Sequence, residues 1–144
     1  MGYELRDHTA DVAVAATGPT LGAAFAAAAD GMAAAMCDEI PETGGERFAV
    51  DLRAESPEAL LFDYLDELIY QRDVRGVLPV DNEAEVRTDG DDAENGDGEW
   101  RLAGSARGLA LAGLGARDLK AVTYSEMALE EVDDGWRAYV VFDV

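Results

Sequence analysis

Apolar residues recur along this chain with two periods, and the switches between them mark the elements. In residues 11–17 (DVAVAAT), Val12 and Val14 alternate with smaller neighbours, the period-two pattern of a strand; residues 2–6 (GYELR) predict a shorter one. Gly18-Pro19 punctuates that run. Thr20 is a helix-capping residue, and the stripe Leu21, Phe25, Ala28, Met32, Ala35 and Met36 predicts a helix from Leu21 to about Met36. Residues 46–54 alternate again, with Phe48, Val50 and Leu52 on one face. A second helix starts where Ser56 caps, Pro57 takes the first helical position and Glu58 meets the N-terminal dipole. Leu60, Leu61, Tyr64, Leu65, Leu68 and Ile69 carry its apolar stripe to about Gln71. Val77 to Arg87 reads as a strand broken by Pro79, and Thr88 to Glu99 (TDGDDAENGDGE) as a polar, acidic turn. Trp100 to Gly108 then forms the returning arm of a hairpin. Gly104 to Gly115 holds several glycines but no phosphate-cradling GxGxxG or P-loop spacing, and reads as loop. Ala121 to Glu131 and Trp136 to Val144 form a last hairpin around Asp133-Asp134-Gly135. The order predicts a single α+β domain over residues 1–144, two main helices on one face of a largely antiparallel or mixed β-sheet.

Composition narrows the function classes. Hydrophobic residues make up 49% of the chain, which excludes the low-hydrophobicity profile of a disordered protein. Acids outnumber bases 31 to 11, for a net charge of −20, and ten of the bases are arginine; Lys120 is the one lysine. A folded domain this negative repels itself in dilute buffer and tolerates the charge in molar salt, where the Debye length is ~3 Å. The acids are spread over the whole chain, so the expected setting is the cytoplasm of an extreme halophile. The arginines show no basic run and no interleaved aromatics, so direct nucleic-acid binding is not expected. The N-terminal MGYELRDHTAD has no apolar core and no stretch is long enough to span a bilayer, which predicts a soluble, cytoplasmic protein without a membrane partner. One cysteine, Cys37, excludes a CxxC site, and one histidine, His8, excludes an HExxH zinc helix.

Three segments carry candidate chemistry. Asp7-His8-Thr9-Ala10-Asp11 sets two carboxylates, an imidazole and a hydroxyl within five residues, able to converge on one ion or one proton; the alternative is an Asx turn capping a strand. At the other end, Asp143 and the α-carboxylate of Val144 put four oxygens on adjacent residues. Such hard donors suit Ca²⁺, Mg²⁺ or Mn²⁺ rather than zinc, against the alternative of a strand that simply ends. Lys120-Ala121-Val122-Thr123-Tyr124 keeps a lysine where every other base is arginine, which fits a need for a compact point charge or chance retention. Cys37 closes an alanine-rich helix and reads as a small buried hydrophobe.

DHTAD (Asp7 to Asp11), the Leu21–Phe25 pair, Leu60-Leu61 with Leu65 and Tyr70, KAVTY (Lys120 to Tyr124) and the closing WRAYVVFDV (Trp136 to Val144) together resemble the archease family over essentially the whole chain. The resemblance implies a small accessory protein, not an enzyme. Its partner would be the GTP-dependent RtcB-type tRNA-splicing ligase, whose guanylylation and multiple turnover it promotes. An alternative is a chaperone-like modulator of an RNA-modifying enzyme such as a tRNA methyltransferase. The family's metal site carries over to Asp11, Asp143 and Val144, with Ca²⁺ as the first expectation and Mg²⁺ or Mn²⁺ as alternatives. Asp7, His8, Lys120 and Thr123 are then functional neighbours, and positive charge from the metal or Lys120 would steady phosphate in the ligase during guanylyl transfer. This chain departs from the pattern at Ser125, where many members carry a histidine.

The charge balance generates the first prediction. The circular-dichroism signal and thermal midpoint should both rise between dilute buffer and molar KCl as self-repulsion is screened. An unchanged midpoint across that range would contradict the assignment of the acids to salt adaptation.

Overall fold

The computed structural model describes residues 2–7, 11–88, 99–117 and 119–143. Within them the chain runs β1 (Gly2–Asp7), β2 (Asp11–Gly18), α1 (Leu21–Met36), β3 (Glu46–Ala54), α2 (Pro57–Arg75), β4 (Val77–Thr88), β5 (Trp100–Ala110), β6 (Ala121–Val132) and β7 (Gly135–Asp143). Both helix starts follow from their caps. The Thr20 hydroxyl accepts from the Ala23 N–H and the Ser56 hydroxyl from the Ala59 N–H, each at 3.1 Å. α2 continues one turn beyond the expected Gln71. It ends where Gly76 adopts φ 66° and its N–H donates to the Arg72 carbonyl, a left-handed stop that glycine takes without strain. No basic residue sits in the last turn of α1. Arg117 serves from a distance instead: its backbone N–H donates to the Met36 carbonyl and its guanidinium to the Ala35 carbonyl.

The strands form two sheets rather than the single one expected, ordered β1-β2-β7-β6 and β3-β5-β4, and every described pairing is antiparallel. Alternation reveals which face of a strand is buried, not which strand lies beside it, so the division was invisible in the pattern. β4 is not broken at Pro79. It is an edge strand of its sheet, where the missing N–H is tolerated, and the register slips two residues later, between Val80 and Glu83, where Asp81 has φ 49°. Gly104 and Gly108 lie inside β5 rather than in a loop.

The helices hold the two sheets together. α1 packs on β2 of one sheet and β4 of the other, while α2 packs on β6 and on all three strands of the smaller sheet. Alanine on nearly every side of α1 permits this double contact, and twelve of its sixteen residues are buried. Gly22 meets the second sheet: a Cβ there would fall far inside contact distance of the Ala84 carbonyl oxygen. Gly31 meets the first, where a Cβ would lie 2.5 Å from Val14 Cγ1. Leu60, Leu61, Leu65 and Leu68 of α2 are fully buried, each stabilising by about 1.5–3 kcal/mol relative to exposure. The Phe25 and Tyr64 rings stack at 6.3 Å across the helix pair. Cys37 is buried, as expected, and its thiol faces the Glu39 and Leu114 carbonyls. No described helix is long and apolar enough to cross a membrane.

Gly22→Ala distinguishes close approach from helix propensity. Propensity alone favours alanine by about 1 kcal/mol, whereas forcing a methyl against β4 is expected to cost about 1–3 kcal/mol. Urea unfolding in molar KCl should show a net loss; a gain would mean that α1 does not dock on β4 this closely.

Candidate functional site

Three of the segments singled out above come together at one end of the four-stranded sheet. β2 and β7 pair without interruption from Asp11 opposite Asp143 to Gly18 opposite Trp136. On one side β1 brings Asp7 opposite Val12. On the other, β6 places Ala121 opposite Asp143, and the Lys120 N–H donates to the Asp143 carbonyl at 2.9 Å. Neighbouring antiparallel positions lie about 4.5–5.5 Å apart at Cα. Asp11 and Asp143 are therefore adjacent across the β2–β7 pair, with Lys120 fastened beside them. Lys120 and Asp143 are exposed, so charge from either reaches solvent. Thr123 lies farther along β6, half-buried and opposite Val141. His8 and Val144 fall outside the described residues, as do positions 89–98 of the acidic turn.

The donor chemistry fits a hard cation. Two of the three expected ligand positions, Asp11 and Asp143, face each other in register, and both are oxygen donors. Among the described residues no three His, Cys, Asp or Glu side chains group to hold a metal ion.

Beyond Thr123 the β6–β7 register slips until Ala128, and Glu126 takes φ 65°. This bulge holds Ser125, the position where the sequence departs from the family pattern. Tyr124 emerges there 53% exposed, with its ring 5.2 Å from that of Phe62 on α2. Spacing alone did not disclose the bulge.

A second polar cluster sits between α1, α2 and β4. Asp30 Oδ1 accepts from both the backbone N–H and the side-chain amide of Asn82, at 3.0 and 2.8 Å. Burial pushes the Asp30 carboxyl above its ordinary 3.8; the Asn82 bonds pull it down less strongly, Asp81 adds to the rise and Arg47 opposes it. Burial, with the nearby Asp30 charge, likewise raises the Tyr64 hydroxyl, which stays neutral. The Tyr64 hydroxyl and Asn82 Oδ1 have no hydrogen-bond partner among the described residues. Sequence reading passed over Asp30, although it is the one charged residue in the alanine-rich α1 and that isolation was a signal.

Comparison with known proteins finds matches over nearly the whole chain. Residues 3–144 match the model of the Archease protein family. A protein archease of Thermococcus gammatolerans is 35% identical, over 99% of this chain and 98% of that protein. One from Methanosarcina barkeri is 34% identical, over 99% and 95%. The solution structure of Methanobacterium thermoautotrophicum protein 1598 superposes with a TM-score of 0.79 at 32% identity, covering 99% of both chains. A Thermotoga maritima crystal structure, described as "an archease, possible chaperone", has a TM-score of 0.59 at 19% identity over 98% of this chain and 96% of that one, and shares the fold.

Asp30 yields a pH prediction. A carboxyl raised in the folded state contributes stability at low pH that is lost as pH climbs through its folded value. Asp30→Asn keeps an acceptor for both Asn82 donors and removes the buried charge. Its thermal midpoint relative to the parent should rise steadily from pH 3 to pH 7. Asp30→Ala strands those donors and should lose about 1–3 kcal/mol. A parent–Asn difference that does not vary with pH would contradict the assignment.

Proposed function

The chain belongs to the archease family, and from that premise we propose that it is an accessory protein which activates an RtcB-type tRNA-splicing ligase by promoting its guanylylation. The observation that supports this reading most directly is the gathering of Asp11, Asp143 and Lys120 at one sheet end by the β2–β7–β6 register. In our reading Asp11, Asp143 and the Val144 carboxylate hold a divalent cation, Ca²⁺ first among the hard ions. When bound, that ion supplies fixed positive charge for phosphate oxygens. Lys120 contributes from this chain alone: its side chain is exposed and would offer its ammonium to a docked partner's phosphate, while its backbone N–H stays anchored on Asp143. Asp7, His8 and Thr123 flank the segments involved. The net charge of −20 supports a working place in a salt-rich cytoplasm, where screening lets so acidic a protein approach the ligase and its RNA. A second reading draws on the Thermotoga relative described as a possible chaperone: the chain steadies an RNA-modifying enzyme, such as a tRNA methyltransferase, without entering its chemistry.

Single-turnover guanylylation of a purified ligase separates the two. Substoichiometric protein should accelerate it, whereas a chaperone would protect the ligase without acceleration. Lys120→Ala removes an exposed side chain and should change stability by no more than about 0.5 kcal/mol. Its activation of the ligase should nonetheless fall on the order of a hundredfold, the value of a charge aimed at phosphate in a water-poor site. Lys120→Arg should rescue only in part, because the guanidinium is broader and planar. Full activation by Lys120→Ala would overturn the role given to its charge.

A further inference from the structure

α2 is buried along one side only, and its outward arc is not purely polar. At about 3.6 residues per turn, Phe62, Asp66, Tyr70 and Val74 follow one another along the side of α2 away from its buried leucines, with Asp63 and Asp73 in the same arc. Among the described residues five large apolar side chains are exposed, and three of them belong to this face. Tyr70, at 57%, and Val74, at 62%, stand on α2, and Tyr124 of β6 joins them through its ring contact with Phe62. Single exposed apolar residues are ordinary on a protein surface, whereas a group of them rimmed by polar residues marks a place where another surface docks. Asp63 and Asp66 also lack what several other surface acids have. On the smaller sheet Glu83, Glu85 and Glu99 each stand beside an arginine. Residues 57–71 contain neither arginine nor lysine; of the two arginines that follow, Arg72 is buried and Arg75 stacks over Phe48. Burial and the Asp66 charge both push the Asp63 carboxyl above its ordinary 3.8, and no cation among the described residues opposes them.

An aromatic face interleaved with uncompensated carboxylates complements a surface that carries bases among apolar residues. A second copy of this chain does not fit, because a two-fold contact sets Asp63, Asp66 and Asp73 against the same acids. An enzyme that binds RNA does fit, since holding a polyanion requires lysines and arginines along the nucleic-acid path. We propose that the outward face of α2, together with Tyr124 of β6, is the docking surface for a basic, apolar-edged patch of the ligase, with Tyr70, Val74 and Tyr124 supplying buried contact and Asp63 and Asp66 meeting its bases. This rests on the ligase reading above and adds where the partner sits. Tyr124 follows Lys120 by four positions, at most about 13 Å of extended chain, so a partner seated on this face keeps Lys120 within reach of its nucleotide site. In molar salt the Debye length is ~3 Å, so the carboxylates act only at contact and select the partner, while the aromatic contacts carry the affinity.

The test separates binding from rate, in molar KCl. The labelled chain is titrated with purified ligase by fluorescence anisotropy, and single-turnover guanylylation is followed against the concentration of the chain. Tyr70→Ala and Asp66→Lys should each weaken binding tenfold or more and raise the half-activating concentration by the same factor, with the maximal rate at saturation unchanged. Lys120→Ala should do the reverse, lowering the maximal rate while binding stays near that of the parent. Tyr70 and Asp66 are exposed, so thermal midpoints should stay near the parent's, and Asp66→Lys replaces a repulsion of Asp63 with an attraction. Val74→Ser is the further variant should either fold poorly, and the same loss of binding is expected. Light scattering of the parent alone should give a monomer; a dimer dispersed by Tyr70→Ala would assign the face to a second copy and overturn the proposal. If the parent binds and activates the ligase and the α2 variants do so equally well, or lose only maximal rate, the docking face is overturned and the ligase reading stands. If the parent neither binds nor activates, both fall.

Discussion

The pairing of β2 with β7 is the constraint on which the rest depends. These are the two inner strands of the larger sheet, and their register runs unbroken over the whole of β2. Side chains alternate with a period of two, so a slip of one residue would turn Val14, Val140 and Phe142 away from the core. The burial of those residues therefore fixes, at the far end of the same ladder, which residues stand opposite one another. Asp11 meets Asp143 there because the core requires it, and β6 adds Lys120 through one further backbone bond. Apolar packing in the middle of the sheet positions polar chemistry at its edge.

A second constraint is the closeness of α1 to both sheets. Its alanines and its two glycines at the contact points let one helix touch β2 and β4 together. Asp30 is then caught between the layers, where Asn82 answers it with two hydrogen bonds. Among the described residues no acidic side chain is fully buried in this core. Several arginines brace loops and helix ends, as Arg107 and Arg117 do.

Much of this was legible in the sequence. Ser56-Pro57 and Thr20 are local signals whose hydrogen bonds lie within three residues, and both helix starts were read from them. β3 showed the alternation of a half-buried strand, and the α+β class followed from the order of elements. Long-range relations were less accessible. Periodicity does not encode which strands are neighbours, so two sheets read as one. Pro79 is a strong local breaker, yet at an edge it costs little, and the irregularity belongs to Asp81 instead. The proximity of Asp11 to Asp143 was implied by family resemblance and not by spacing, since 132 positions separate them in the chain. The bulge after Thr123 is a consequence of register and had no local signature.

The most direct test of the β2–β7 arrangement and of the cation site proposed on it is paramagnetic broadening of backbone amide signals by Mn²⁺ titrated in molar KCl. Mn²⁺ is a hard cation of the class these carboxylates suit, and the high salt suppresses diffuse attraction to the many surface acids. The amides of Asp11, Lys120 and Asp143 are expected to broaden first and together at substoichiometric Mn²⁺, while those of Arg101 and Ala103 on the other sheet stay sharp. Broadening spread evenly over the acidic surface, or centred away from this end of the sheet, would contradict a cation site built by that register.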